Sequence, residues 1–559
     1  ILTFRIFMEK INQALIFLDS IIGGSQWFVV FLIGTGLFFT VYLRFPQIRY
    51  FRRGWAVMRG KHENAQARGD ATHFQSLSTA LSSTVGTGNV AGVALAIHLG
   101  GPAAAFWMAF TAFIGMTTKF VEVTLSHKYR EFAEDGTVVG GPMYYMKNRL
   151  GLPWMAVIFS VATIFATLGT GVLPQMNNMI GAMKSAFHVP VAPTAILVTL
   201  FTGVVILKGL RRIVQVNMIL VPFMGLFYIL GALSVILYNY DNILPSLASI
   251  GQTLFTGTAA AGGFLGASVG YAINRGANRG LFSNEAGQGS SPITHAAARS
   301  RDSMSEGMVA LLEPFFDTLV VCMLTALAVL SSGTWKEKFN NDFQTADLTI
   351  LSGVYSDQNA SQAHQLYQHI AGKEALPLFS GTLEVTSGRI LNPVTLIHAR
   401  SQAEDVQVTQ AGSVFTGTIP VDKGMLRLAR ADLKIRGRSL VHSSALSTEA
   451  FRRGFFGDWG GYIIPITLLL FAYSTAISWS YYGDRAVAFL WGVRYVLYYR
   501  LAYIAIFFVA AFVDTTTIWL FSGVTTAFMT LPNLCGLWML RKEVRGMVYR
   551  YDRRGKFLE

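Results

Sequence analysis

Two stretches of this chain put polar chemistry where a membrane helix should be featureless. "STVGTGNVAG", Ser83 to Gly92, sits in an apolar run yet carries glycines, hydroxyls and an amide. "GTAAAGGFLGASVG", Gly257 to Gly270, repeats the pattern. Glycine weakens a helix and admits unusual dihedrals and close approach. Unwinding at membrane depth frees backbone groups, and this is tolerated only inside protein or along a wet cavity. Freed N–H groups and half-helix N-termini favour a carboxylate, whereas freed carbonyls and half-helix C-termini favour a cation or an ammonium group. Neither stretch holds Asp, Glu, Lys or Arg. That suits a small zwitterion travelling with a monovalent cation. Glycines that merely let helices pack closely are the competing account. Their recurrence at equivalent places in opposed repeats favours a site.

The elements that must position these stretches follow from composition. Of 559 residues, 52% are hydrophobic and 14% charged, a balance foreign to soluble domains. Repeated apolar runs of roughly 20 residues make this a polytopic membrane protein in contact with the lipid bilayer. One helix is expected near 25–43, followed by ten core helices near 76–98, 101–126, 154–185, 191–207, 213–238, 254–275, 307–332, 459–482, 495–513 and 517–540. The first run lacks a small-residue cleavage site and reads as a retained helix. The net charge of +14 is concentrated in clusters such as "RFPQIRYFRRGWAVMRGK" and "RKEVRGMVYRYDRRGK", which read as cytoplasmic loops. No basic domain or base-stacking platform points to nucleic acid. Alternation from the Arg44–Lys61 loop then puts the N-terminus outside, the C-terminus inside, core helix one running outward and core helix six running inward.

The organisation expected is an N-terminal segment with an extra helix and a basic loop (1–75), a first repeat of core helices one to five (76–240), the start of a second repeat (241–332), an external β-rich insert (333–451), core helices eight to ten (452–540) and a basic tail (541–559). In the insert, "GTLEVTSG", "EDVQVTQ" and "MLRLARADLKIRG" alternate with a strand period. Basic and acidic residues balance there, so the net charge belongs to the rest of the chain. The insert reads as a decoration or an external partner surface. Two cysteines, Cys322 and Cys535, supply neither a disulfide framework nor a metal site.

The pieces "STALSSTVGTGNVAGVALA", "GGPAAAFWMAFTAFIGMTTKFVE", "GGPMYYM", "NRGLFSNEAGQG" and "AYSTAISWSYYG" touch nearly every core helix. On them the chain resembles the alanine or glycine:cation symporters of the amino-acid/polyamine/cation superfamily. The resemblance implies an all-α 5+5 inverted-repeat (LeuT-like) core in a bacterial inner membrane. It also implies import of a small neutral amino acid with Na+ as the co-transported ion, and no enzyme activity. It implies that backbone groups of Thr84, Gly86, Thr87 and Gly88 meet the substrate carboxylate. Gly262, Gly263 and Phe264 would form the second break, with Phe264 over the substrate. Gln175 and Asn177 would line the wall, and Thr475 and Trp479 would bound the pocket. Sodium would lie at Ser82, Val85, Asn89, Ser474, Thr475 and Ser478. Ala109 replaces a second tryptophan of the family signature, and Leu265 stands where a smaller residue is expected.

Other residues have alternative roles. Glu313 and Asp317, one turn apart, are candidates for ion coupling or for structural ties to Lys119 or Arg275. Arg279 and Glu285 read as a solvated loop or as a cytoplasmic gate pair. A proton-driven transporter and a non-transporting nutrient receptor that signals through the insert are the rival functions.

Overall fold

The computed structural model describes residues 13–23, 25–61, 68–133, 136–300, 302–344, 347–426, 433–513 and 515–555. Arg301 and Lys556 of the basic segments and residues 427–432 of the insert lie outside them. Among the described residues, seven helices are long and apolar enough to cross a membrane, and nine spans result if two bent pairs count as one each. The chain is an integral membrane protein.

In chain order the helices that matter are α1 (Gln26–Tyr42), α2 (His73–Thr84), α3 (Val93–Gly100), α4 (Ala103–Lys128), α5 (Pro153–Ala166), α6 (Leu173–Phe187), α7 (Val191–Leu207), α8 (Leu210–Tyr238), α9 (Ile243–Thr256), α10 (Val269–Asn284), α11 (Ser303–Ala310) and α12 (Met323–Ser331). After the insert come α13 (Ser443–Arg452), α14 (Ile463–Trp491), α15 (Val496–Val509), α16 (Thr515–Met539) and α17 (Arg541–Gly555). Outer helices such as α7 leave Leu197, Leu200, Phe201 and Val204 exposed, as a lipid-facing surface requires. The inner helices α2, α4 and α14 are largely buried and carry many of the polar residues, while α10 buries mainly the face with Gly276, Gly280, Ser283 and Asn284.

α2 begins at a capping box. The Thr72 hydroxyl accepts from the Gln75 amide at 3.2 Å while the Thr72 N–H donates to the Gln75 side chain at 2.9 Å. α2 and α3 form a bent span, with an angle of 54° between them. Val85 leaves helical geometry, and Gly88–Gly92 is wound as a π turn. Two further π stretches, Thr167–Val172 between α5 and α6 and Phe315–Cys322 before α12, lie inside other spans. Such widened turns free local backbone geometry and concentrate at functional sites.

The second break is not where the glycine cluster suggested. Residues 254–275 are not one helix. Residues 257–267 fold back as a short antiparallel excursion, bridged at Thr258–Ala267 and Ala261–Phe264, and α10 begins only at Val269. The interruption in this span falls at Glu285–Ser290, where Glu285, Gly287 and Gly289 have φ of 54°, 86° and 81° before a short helix Ser291–His295 resumes.

Between α12 and α13 the chain forms β1 (Phe339–Asp342), β2 (Leu348–Ser352), β3 (Gly381–Thr386), β4 (Val394–His398), β5 (Glu404–Gln410), β6 (Gly417–Asp422) and β7 (Leu433–Ser439), with shorter strands at the edges and a helix at Ala360–Ile370. They pair as three antiparallel sheets around a core that includes Ile350, Leu383, Val385, Val408, Ile419 and Ile435. The strands end at Ser439. α13, inside the boundary expected for the insert, packs on the membrane core instead: Leu446 and Phe451 share a cluster with Val90 and Tyr228.

α10 lies close against α4 because it presents two glycines four residues apart. A Cβ on Gly276 would sit 2.4 Å from the Ala104 carbonyl, and one on Gly280 would sit 2.4 Å from the Thr111 hydroxyl. Gly270, on the same helix, has nothing within 4 Å. Gly276→Val or Gly280→Val should therefore cost about 1–3 kcal/mol by overpacking and lower the monodisperse fraction surviving a heat challenge in detergent. Gly270→Ala should leave it unchanged.

Candidate functional site

The first break is held open by one amide. Gly86 N–H donates to Asn89 Oδ1 at 2.8 Å, and Asn89 Nδ2 donates to Asp317 Oδ1 at 2.6 Å and to the Asp317 carbonyl at 3.1 Å. Asp317 also accepts from Ser283 Oγ at 2.9 Å and from Thr318 Oγ1 at 2.6 Å. Thr325 Oγ1 donates to the Asn89 carbonyl at 2.8 Å, and Ser447 Oγ to the Val90 carbonyl at 3.1 Å. The π turn's backbone thus finds its partners on α12 and α13, and Asp317 joins it to the end of α10.

A second group of oxygens gathers where α14 crosses the end of α2. Thr475 Oγ1 donates to the carbonyls of Ser82 at 3.1 Å and Val85 at 3.3 Å. Ser82 Oγ donates to the Ser474 carbonyl at 2.8 Å and lies 2.5 Å from Ser478 Oγ. Ser474 Oγ lies 3.5 Å from the Ser82 carbonyl. All are buried. Ser82, Val85, Ser474, Thr475 and Ser478 are therefore brought together as neutral carbonyl and hydroxyl oxygens, a donor set that fits a dehydrated monovalent cation. Asn89 stands apart from it, in the Asp317 network.

The pocket side of Gly86 is built from the wall residues. A Cβ there would lie 2.8 Å from Thr475 Oγ1 and 3.6 Å from Gln175 Oε1. Gln175 Nε2 donates to the Thr170 carbonyl at 3.1 Å, while Gln175 Oε1 and Thr87 Oγ1 are buried without partners among the described residues. Buried polar atoms are rarely left unpaired, so two orphans beside the break are what a polar ligand would satisfy. Thr84 turns its hydroxyl back to the Ala80 carbonyl, 3.3 Å away. Trp479 is fully buried, and its Nε1 donates to Glu285 Oε1 at 3.1 Å and to the Ser83 carbonyl at 3.3 Å. A Cβ on Gly171 would come within 2.3 Å of Trp479 Cβ, so the second π stretch leaves room for the indole.

Gly262, Gly263 and Phe264 do not join this site. Gly263 N–H donates to the Lys336 carbonyl at 2.8 Å, and Phe264 stacks edge-on to Trp335 at 5.3 Å in a cluster with Ala267 and Leu440. Leu265 is buried against Leu351, Leu366 and Ile397. The reason is the excursion at 257–267, which leaves the membrane core and docks on the insert. Phe282, not Phe264, lies beside the first break: its ring would be 3.4 Å from a Cβ on Gly88. Asn177 donates to the Val513 carbonyl at 3.0 Å and lines a neighbouring cavity of about 660 Å³. Phe282, Arg275 and Arg279 line it too, with Asp347 and His442 at the insert end. The hydrogen bond from His442 holds the Asp347 carboxyl below its ordinary pKa.

Phe282 and Ser283, beside the break, were missed by sequence reasoning, though the "FSNEAGQG" motif was the available signal; Asp317 was left open between ion coupling and a structural tie. Glu313 takes the structural alternative, accepting from Lys119 at 3.0 Å. Arg279 and Glu285 are not a gate pair. Arg279 lies over Trp519 at 5.2 Å, whereas Glu285 is buried in the second break with Trp479 and Ser290.

The model of the sodium:alanine symporter family matches residues 8–357 and 408–557. The chain belongs to the sodium:alanine symporter family. The residues between the two matched stretches, 358–407, fall within the insert. A sodium/alanine symporter of Methanococcus maripaludis is 32% identical over 522 residues, covering 92% of each chain. An uncharacterised transporter of Haemophilus influenzae is 32% identical over 535 residues, covering 96% of this chain and 94% of its own. A Bacillus subtilis protein described as a putative sodium/proton-dependent alanine carrier is 39% identical over 342 residues, 60% of this chain and 67% of its own. This symporter-family member is a transporter and not an enzyme.

Asp317→Ala should remove the carboxylate that accepts from Asn89, Ser283 and Thr318, leaving Asn89 only its weaker contacts, and cost about 1–3 kcal/mol, seen as a lower unfolding midpoint in detergent. Asp317→Asn, which retains an acceptor, should keep most of it. Equal losses would contradict the role given to this network.

Proposed function

We propose that this symporter-family chain imports a small neutral amino acid, alanine or glycine, together with sodium by alternating access. On this reading α2–α8 and α10–α16, with the insert and α13 set aside, are two five-helix repeats of opposite orientation, the 5+5 inverted-repeat core. The observation that carries it is the meeting of the two interruptions. The end of α10 reaches the π turn after α2 through Ser283 and Asp317, and the orphaned Gln175 oxygen lies 3.6 Å from where a Cβ on Gly86 would stand. The substrate carboxylate is assigned to the freed backbone at Thr84–Gly88. Sodium is assigned to the oxygens of Ser82, Val85, Ser474, Thr475 and Ser478, and Asn89 with Asp317 offers a second cation position. Trp479 and Phe282 bound the side-chain pocket, which limits the substrate to small amino acids. The basic loops put the N-terminus outside and the insert on the outer face of a bacterial inner membrane.

The energetics are adequate. One charge entering down 100 mV supplies about 2.3 kcal/mol, roughly a fifty-fold accumulation before any sodium gradient is added. Asp317 is the specific observation that favours the proton-driven alternative, since a carboxylate joining both breaks could carry a proton instead.

Uptake of radiolabelled alanine into proteoliposomes should require an inward sodium gradient and fail when potassium and a pH gradient replace it. Thr475→Ala should raise the sodium concentration for half-activation by about tenfold, the loss of one good ligand contact. Uptake driven by protons alone, and abolished in Asp317→Asn, would favour the alternative.

A further inference from the structure

The cavity beside the site carries two cations that the transport reading leaves unused. Arg275 and Arg279 stand one turn apart on α10, so they share a face, and both line the cavity. Among the described residues neither forms an ion pair or a hydrogen bond, and Arg275 Nε is buried without a partner. Each guanidinium is held by a ring instead: Arg275 lies over Tyr271 at 4.8 Å and Arg279 over Trp519 at 5.2 Å. A ring contact fixes the plane of a guanidinium and leaves its N–H fork available.

Among the described residues neither acid of the cavity wall pairs with these arginines, and the Asp19 charge reaches Arg279 only through space. Asp347 is occupied by His442, 3.0 Å away. Asp19 lies beside Gly523, where a Cβ would be 3.3 Å from its carboxylate. The arginine pair leads directly to the site. A Cβ on Gly92, in the π turn, would lie 3.9 Å from Arg279 Cδ, and Phe282 follows Arg279 by three residues on the same helix. The cavity therefore runs from the insert end to Phe282, Ala286 and Gln288 at the second break, past two unpaired forks suited to bidentate carboxylate binding, with Arg279 lying against Gly92 of the first break.

We infer that Arg275 and Arg279 form an outer station that takes the carboxylate of the incoming amino acid before it passes Phe282 to the first break. This rests on the transport reading for its ligand, but its geometry is independent of which ion drives transport. The station supplies an orienting contact: the carboxylate enters nearest α10, and the side chain is left to face the pocket behind it.

Trp519 reports on the station. The chain has ten tryptophans, so its signal is taken as the difference between the purified full chain and its Trp519→Phe variant. At constant ionic strength, sodium acetate and L-alanine should each change Trp519 emission, and sodium chloride should not. Arg275→Gln and Arg279→Gln should abolish the change and raise the KM for alanine uptake about tenfold, the loss of one charge-assisted contact, with the sodium half-activation unmoved. Arg279→Lys, which keeps the charge and the fold, should retain a weakened response. An equal response to chloride would make this an inorganic-anion site and overturn the assignment, as would an unchanged response in both glutamine variants. Failure of alanine uptake in the unaltered chain, with the acetate response intact, would count against the transport reading and not against the station.

Discussion

A helix that opens inside a membrane must find partners for its backbone within the protein, and the rest of this structure follows from that constraint. The Asn89 amide meets it twice over. Its oxygen takes the freed Gly86 N–H, and its nitrogen reaches across to Asp317, on a different span. Removing water from such a pair strengthens each contact and raises the cost of leaving any one unmade. The neighbourhood is accordingly dense with compensating donors: Thr325 and Ser447 on the π turn's carbonyls, and Ser283 on the Asp317 carboxylate.

Building such a site bends more than one helix. The π stretches at Gly88–Gly92, Thr167–Val172 and Phe315–Cys322 present Asn89, make way for Trp479 and present Asp317 respectively. Lys119, Ser291 and Glu313 form a separate buried tie just beyond the second break. It holds the short helix after the break to α4, so the interrupted span is anchored on the far side of the gap. α13 and the excursion at 257–267 anchor the other side, one on the Val90 carbonyl and one on Lys336. The site is thus gripped from both ends while its centre keeps unpaired oxygens.

Much of this was legible in the residues, and the exceptions have physical causes. "VGTGN" stood out because glycine, hydroxyl and amide have no ordinary reason to interrupt an apolar run, and "AYSTAISWS" because its hydroxyls lie one turn apart on a hydrophobic helix. The second break was misread at Gly257–Gly270. Glycines clustered in an apolar window mimic an opened helix, and only the backbone shows that they serve a turn outside the core. The actual interruption contains Glu285, and a carboxylate reads as solvent-facing until its partners are known. Those partners, Trp479 and Ser290, include one 194 positions away. Asp317 was ambiguous for the same reason: its donors Asn89 and Ser283 lie on two other elements, and helical spacing pairs it with Glu313 instead. Ties made across sequence distance cannot be read from local pattern, and of the two interruptions only the first could be.

On the proposed function, the two interruptions at Val85–Gly92 and Glu285–Ser290 together enclose the ligand. Hydrogen–deuterium exchange on the reconstituted chain, with sodium and alanine added separately and then together, tests it most directly. The account predicts that both segments become protected together, and most strongly with both solutes present, while residues 257–267 do not change. Protection confined to 257–267, or of one interruption without the other, would contradict it.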